Sequence, residues 1–284
     1  MSENNKFIIS GSSGWLSRNF IKKLNKHGHS VFGIQNNNMW EDAKQFASES
    51  CGKIFLIHNA FELPNREQEI DLESYKNNLV KNFDVVEDFI ENVKIESLFY
   101  PSTGRVYDQN KHKSELLGIY AEQKLFEEQK LESFASKYNF SMIIGRIFSL
   151  IGPNNFFKSH SSFQTLISDS ILKEKLTIKS NTNDLHSISI MDNLIVLVLS
   201  ILLNEEKDYR FKFDVVDRDI TLSNFSELIF KILNLDIKNL EYNFDLNQVR
   251  GKYIGSQLEY KKLIQQYVKK PQSLESYLLY ILKN

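Results

Sequence analysis

Cysteine is almost missing from this chain. The single Cys51 excludes an internal disulfide and a thiolate-based zinc site, and it fits a reducing compartment. Six histidines, at positions 27, 29, 58, 112, 160 and 186, show no HExxH or other metal-ligand spacing, so no metal is expected. Neither sign of charge dominates: 35 Lys+Arg against 36 Asp+Glu leave a net charge of −1. Nothing therefore drives the protein toward nucleic acid or an anionic membrane. Arginine is scarce, found only at 18, 66, 105, 146, 210, 218 and 250, so candidates for bidentate phosphate binding are few. No apolar run approaches the roughly 20 residues that span a bilayer. The longest, Leu194–Leu203, is interrupted by Ser200 and reads as a buried helix. The polar Met1–Lys6 has no signal-peptide apolar region, so a cytoplasmic protein is expected. No internal repeat or low-complexity block is visible.

What is present is enough apolar material for a sizeable core: 42% hydrophobic residues in 284, against 25% charged. That length suits one large or two coupled domains. In the first half, short apolar runs alternate with helical periodicity. Phe7–Ser10, Ser30–Ile34, Lys53–His58, Ser97–Tyr100 and Met142–Ile147 read as strands. They lack polar alternation, as strands buried on both faces of a parallel sheet do. Ser17–Lys26, Trp40–Ser48, Ser74–Asn92 and Ile119–Tyr138 read as the intervening helices. The pattern predicts an α/β fold, a doubly wound, Rossmann-like parallel sheet. After Pro153 the pattern loosens into a mixed lobe with helices at Phe163–Lys173, Asp192–Asn204, Leu222–Leu233 and Leu274–Leu282, and strands at Leu176–Ile178 and Phe211–Val216. The expected division is residues 1–152 for dinucleotide binding, with the sheet completed by parts of 185–217, and a smaller, interleaved substrate lobe over 153–284.

The first strand ends in Ser10-Gly11-Ser12-Ser13-Gly14-Trp15-Leu16-Ser17, and a helix follows at once. A strand, a Gly-rich turn and a helix N-terminus together form a phosphate cradle. Gly11 permits the tight turn, Gly14 allows close approach of a diphosphate, and the first helical turn from Trp15 and Leu16 offers N–H groups. An ordinary glycine turn is the competing reading. The end of the second strand, where such sites place an acid on the adenine ribose, carries Gln35 followed by three asparagines. Gln35 neither repels nor attracts a 2′-phosphate, which leaves NAD and NADP both open.

Tyr120 and Lys124 stand four residues apart and share a helix face. An ammonium beside a phenol favours the phenolate, making a proton donor and acceptor for a carbonyl/alcohol pair. Just upstream, Ser102 and Thr103 follow the fourth strand, at the strand end where α/β folds bind ligands.

Taken together, these motifs resemble the extended short-chain dehydrogenase/reductases, the NAD-dependent epimerase/dehydratase family that modifies nucleotide sugars. The matches run in order along nearly the whole chain: Gly11–Ser17, Gly28-His29, Ile57-His58-Asn59-Ala60, Asn78, Ser102-Thr103 with Val106-Tyr107, Tyr120 and Lys124, and Gly145–Pro153. The resemblance implies Tyr120 as general acid/base, with Lys124 lowering its pKa and binding the nicotinamide ribose. Thr103 would hydrogen-bond the reacting sugar oxygen. Coenzyme contacts are implied from Gly11, Ser13, Gly14, Trp15, Leu16, Gln35, His58, Ala60, Asn78, Ser102 and Lys124. Substrate contacts are implied from Thr103, Arg105, Ser149 and Arg250, the last toward a diphosphate. Structural roles compete for several of these: a strand cap for Thr103, a core histidine for His58, a surface amide for Asn78, and an exposed arginine for Arg250.

Departures from the family pattern narrow the chemistry. Gly104 and Arg105 occupy the Asp-Glu positions of family 4,6-dehydratases, which disfavours dehydration. Leu185 stands where the family has an arginine on the sugar nucleotide. The leading expectation is an NAD(P)-dependent 4-keto-sugar reductase acting on a nucleoside diphosphate sugar, with an NAD-dependent 4-epimerase as the alternative. A non-catalytic dinucleotide sensor or partner subunit is a third possibility, from another class. A homodimer through the two long helices is expected, with Leu79, Phe83, Val86 and Ile90 as a candidate stripe. Finally, only 17 residues, Asn36–Gly52, separate the second strand from Lys53–His58. That is room for one crossover helix, so the family's usual third strand should be missing and the adenine held differently.

Overall fold

In a computed structural model of the protein, residues 5–49, 52–61, 71–107, 115–153, 162–173, 175–178, 180–204, 208–246, 249 and 251–283 are described. The elements run β1 (Lys6–Ser10), α1 (Trp15–Lys26), β2 (Ser30–Ile34), α2 (Trp40–Ser48), β3 (Ile54–His58), α3 (Leu72–Asn92), β4 (Ser97–Thr103), α4 (Glu115–Tyr138) and β5 (Ser141–Ile147). Then follow β6 (Ser149–Ile151), α5 (Ser162–Leu172), β7 (Leu176–Ile178), β8 (Leu185–Ile190), α6 (Met191–Leu202), β9 (Arg210–Val215) and β10 (Arg218–Thr221). The chain ends with α7 (Leu222–Leu233), β11 (Leu240–Tyr242), β12 (Lys252–Tyr253), α8 (Leu258–Tyr267) and α9 (Leu274–Lys283).

Six strands form one sheet in the order β2-β1-β3-β4-β5-β9. The β1–β2, β1–β3 and β3–β4 pairs are parallel, with Ser10 opposite both Ile34 and His58. This is the Rossmann-like parallel sheet expected from the alternating pattern. Strand β2 is its edge. Between β2 and β3 the described residues hold a short 3-10 turn (Asn37–Met39) and α2, and no strand. Asn36 starts that turn, its side chain accepting from the Asn38 N–H. The chain-length argument against a third strand thus holds among the described residues.

Two compact units divide the chain. The first comprises Met1–Gly145 and Ile201–Lys212; the second comprises Arg146–Ser200 and Phe213–Asn284. In the first, one face of the sheet offers Ile8, Leu56, Leu98, Tyr100, Met142 and Ile144 to α2, α3 and α4. On the other face Phe7 stacks on Phe55, and Phe20 of α1 meets Phe99. Alternate strand residues point to opposite faces, so the unbroken apolar runs are what a sheet buried on both sides requires. The stripe Leu79, Phe83, Val86 and Ile90 lies in this unit's own interior, each residue at most 3% exposed. It is core and not a free surface, and the homodimer expectation loses that support.

The second unit has its own core, built from Phe163, Ile167, Ile188, Ile190, Phe225, Phe230, Tyr277 and Leu278 among others. Its four-stranded sheet joins β10, β8 and β12, with β6 also paired to β8. Among the described residues no helix is long and apolar enough to cross a membrane, and no group of His, Cys, Asp and Glu is placed to hold a metal.

Candidate active site

The turn after β1 is shaped by Gly11, which adopts φ +64°. A Cβ there would sit 2.8 Å from Ala60 Cα and 2.9 Å from Asn59 O. Both the sign of φ and the approach of the β3 end restrict the position to glycine. Gly14 then starts α1 with no side-chain cap and no acid in the first turn. The helix N-terminus keeps its positive end available for an anion. Asn59 Nδ2 donates to Ser17 Oγ at 2.7 Å, tying the helix start to the end of β3.

A cleft of about 450 Å³ opens here, lined by Gly11, Ser13, Gly14, Gln35, Asn36, Trp40, His58, Asn59, Ala60, Asn82, Phe83 and Glu127 among others. That volume falls in the range of about 300–1,000 Å³ usual for cofactor sites. Along β2 and α3 its polar rim is made of amides: Gln35, Asn36, Asn37 and Asn82, with Asn37 Nδ2 donating to Asn82 Oδ1 at 2.8 Å. A glycine cradle at an uncapped helix end, facing neutral amides and the buried Trp40, fits a dinucleotide.

Of the coenzyme residues expected from the sequence, Gly11, Ser13, Gly14, Gln35, His58 and Ala60 line this cleft; Trp15, Leu16, Asn78, Ser102 and Lys124 do not. Asn78 is exposed on α3. Asn82, one turn further along, lines the cleft instead, because the buried stripe through Leu79 and Phe83 fixes the rotation of α3. Ser102 is buried and donates to Glu128 Oε1 at 2.5 Å. Arg105 follows β4 in a 3-10 turn, its N–H reaching Thr103 Oγ1 at 3.3 Å. Ser149 belongs to the second unit, paired in β6 opposite Ile188. Arg250 lies outside the described residues.

His58 is 3% exposed and hydrogen-bonds through Nδ1 to Ser10 Oγ at 2.7 Å. Burial, reinforced by the charge of Lys124, lowers its pKa to about 3, so the ring is neutral at physiological pH. It stacks on Tyr100, with ring centroids 5.7 Å apart. It is therefore both a core histidine and a wall of the cleft.

Helix α4 carries Tyr120 and Lys124 one turn apart. Tyr120 meets the edge of Phe61 at 5.1 Å. Lys124 is 4% exposed, donates from Nζ to Pro101 O at 3.0 Å, and lies 4.4 Å from the Tyr100 ring centroid and 4.2 Å from that of Phe61. Burial pulls the ammonium down to about 8, against the pull of Glu127 and Glu128. The carbonyl of Pro101 anchors Lys124 to the end of β4, the segment that carries Ser102 and Thr103. Thr103 is 5% exposed.

Sequence reasoning missed Glu127, Tyr100, Gln123 and Glu128. Glu127 is 3% exposed and Glu128 is fully buried. Tyr100 donates from its hydroxyl to Glu127 Oε2 at 2.6 Å, and Gln123 Nε2 donates to Oε1 at 3.1 Å. Burial raises the Glu127 pKa, offset first by Lys124 and then by the Tyr100 and Gln123 hydrogen bonds. One signal was available: Glu127 and Glu128 lie three and four residues beyond Lys124, on its helix face.

No curated protein sequence matches the chain. Solved structures do. A UDP-N-acetylglucosamine 4-epimerase from Methanobrevibacter ruminantium, in complex with UDP-N-acetylmuramic acid, is 15% identical; the match covers 100% of this chain and 98% of that one, with a TM-score of 0.74. A mutant UDP-glucuronic acid 4-epimerase from Bacillus cereus, bound to a 4-deoxy-4-fluoro substrate analogue and NAD, is 16% identical over 98% of both chains, with a TM-score of 0.74. A UDP-glucose 4-epimerase from Thermotoga maritima with UDP-glucose is 16% identical over 98% of this chain and 97% of that chain, with a TM-score of 0.71. At these identities the likeness shows the fold. The family model for the NAD dependent epimerase/dehydratase family, by contrast, matches residues 7–209, well over half of the sequence. The chain therefore belongs to the NAD dependent epimerase/dehydratase family.

Proposed function

We propose that the protein is an NAD-dependent 4-epimerase of a UDP-activated sugar. The observation that carries this is the Tyr120/Lys124 pair on α4, anchored by Lys124 to the Pro101 carbonyl next to Thr103. The neighbouring folds with UDP-sugar 4-epimerase activity favour this reading over the 4-keto reductase expected from the sequence. The coenzyme, when bound, supplies the reversible hydride acceptor that chemistry at a sugar carbinol needs. Gly11, Ser13 and Gly14 would hold its diphosphate, and Gln35, Asn36 and Trp40 its adenosine side. Tyr120 takes the hydroxyl proton at its Oη and returns it, a role typically worth about 10²–10⁴-fold in rate. Thr103 Oγ1 orients the reacting oxygen. Lys124 favours the phenolate by its charge. Ser149 and Arg250 are proposed substrate contacts, which makes the second unit the substrate lobe. Assembly as a cytoplasmic homodimer through α3 and α4 belongs to the same reading, supported by the outward Val80 and Phe126, 40% and 42% exposed.

The test is incubation with UDP-glucose, UDP-N-acetylglucosamine and UDP-glucuronic acid, reading the C4 configuration by NMR and the coenzyme by absorbance. Interconversion of C4 epimers without net change at 340 nm is expected, abolished in Tyr120→Phe. Stoichiometric NADH oxidation by a 4-keto sugar would replace this reading with a reductase. Bound dinucleotide with no turnover of either kind would favour the sensor.

A further inference from the structure

We propose that Glu127 is a positioning residue for the Tyr120/Lys124 pair: held by Tyr100, it keeps a carboxylate behind Lys124 and so keeps that ammonium charged while it is buried. The inference rests on reading Tyr120 and Lys124 as the acid–base pair. An ammonium removed from water is costly unless an anion compensates it. Lys124 Nζ contacts neutral groups: Pro101 O at 3.0 Å and the rings of Phe61 and Tyr100. The rings contribute cation–π attraction, but no net charge. The charge comes from one step behind. The Tyr100 ring that faces Lys124 points its hydroxyl at Glu127 Oε2 at 2.6 Å, and Gln123 secures the other oxygen at 3.1 Å. Both carboxylate oxygens are thus held, and the group cannot swing away.

Glu127 is the larger of two anionic contributions to Lys124, the other being Glu128. His58 from β3 stacks on Tyr100 but is neutral. Burial and then Glu127 push the Tyr100 phenol well above its usual pKa, so it stays protonated. Glu128, the second buried carboxylate on this helix face, accepts from Ser102 of β4 and adds a smaller share of the pull on Lys124. Tyr120 precedes Lys124 by one turn. Glu127 also lines the cleft, so the carboxylate lies where the coenzyme's presence would alter its solvation. Without Glu127, Lys124 would lose its proton more readily, and Tyr120 would lose part of the charge that favours phenolate.

The experiment is a pH titration of ¹³C-labelled lysine side chains by NMR in the full chain, which needs no substrate. One lysine should titrate with a midpoint near 8, and its signal should vanish in Lys124→Met. In Glu127→Gln its proton affinity should drop about tenfold or more. Tyr100→Phe, which keeps the ring and removes only the hydroxyl, should shift it the same way by less, and it decides the matter alone if Glu127→Gln does not fold. A midpoint that stays put or rises in the folded variants overturns the proposal and leaves Glu127 as a core hydrogen-bond acceptor. Full turnover in Tyr120→Phe would instead sink the epimerase reading and leave the titration result standing.

Discussion

Replacing Gly11 by alanine isolates the turn on which the proposed coenzyme cradle depends. Two costs add. The φ of +64° is left-handed, and placing an L-residue there costs about 1–2 kcal/mol. The new methyl would also lie 2.8 Å from Ala60 Cα and 2.9 Å from both Ala60 N and Asn59 O. These are backbone atoms at the end of β3, a strand hydrogen-bonded on both sides. They cannot rotate away, and such overpacking costs about 1–3 kcal/mol. The sum is about 2–5 kcal/mol, which lowers the melting temperature by about 3–8 °C in a protein of this size. Gly28 is the control. It has φ +76°, but nothing lies within 4 Å of its added Cβ, so Gly28→Ala carries only the conformational cost of about 1–2 kcal/mol. Differential scanning calorimetry of the two variants separates the terms. Equal losses in both, or a Gly11→Ala melting point within about 2 °C of wild type, would refute the claim that the β3 end crowds this turn.

Three further outcomes follow from the same geometry. His58 is neutral in the fold with a pKa near 3, against about 6.5 unfolded. Its contribution to stability is present above pH 6.5 and is lost as the pH falls toward 3, about 2 kcal/mol by pH 5; urea denaturation at pH 7 and 5 should show this loss in wild type but not in His58→Asn. The amide rim of Gln35, Asn36, Asn37 and Asn82 offers a 2′-phosphate neither repulsion nor a cation, so NAD and NADP should bind within about tenfold of each other, or about 1.4 kcal/mol; a hundredfold preference measured by fluorescence titration would contradict it. Phe83→Ala removes a core ring 2% exposed and should cost about 3–5 kcal/mol of folding stability while sedimentation still shows a dimer; a wild-type species that sediments as a monomer at micromolar concentration rejects the homodimer.

Much of the proposed catalytic frame is a local property of the chain. A strand, a glycine turn and a helix in succession make an anion cradle wherever they fold, because the N–H groups belong to the helix start itself. Tyr120 and Lys124 share a face because a helix turns every 3.6 residues. Even the lack of a third strand among the described residues is arithmetic, since 17 residues cannot hold two crossovers and a strand. Tertiary structure decided what neighbouring chain segments do to each other. Glu127 and Glu128, in the run Leu125-Phe126-Glu127-Glu128-Gln129, carry no local mark of burial; the end of β4 arrives with Tyr100 and Ser102 to donate to them, and Gln123 of the same helix donates to Glu127. The stripe on α3 was legible as apolar, but periodicity cannot say whether such a stripe faces the chain's own sheet or a second copy. Its packing against the sheet also set the rotation that exposes Asn78 and turns Asn82 to the cleft. The small sheet of the second unit went unread for a related reason. Its strands, β6, β8, β10 and β12, run for two to six residues and come from distant stretches, so each is stabilised by partners that no local window of sequence contains.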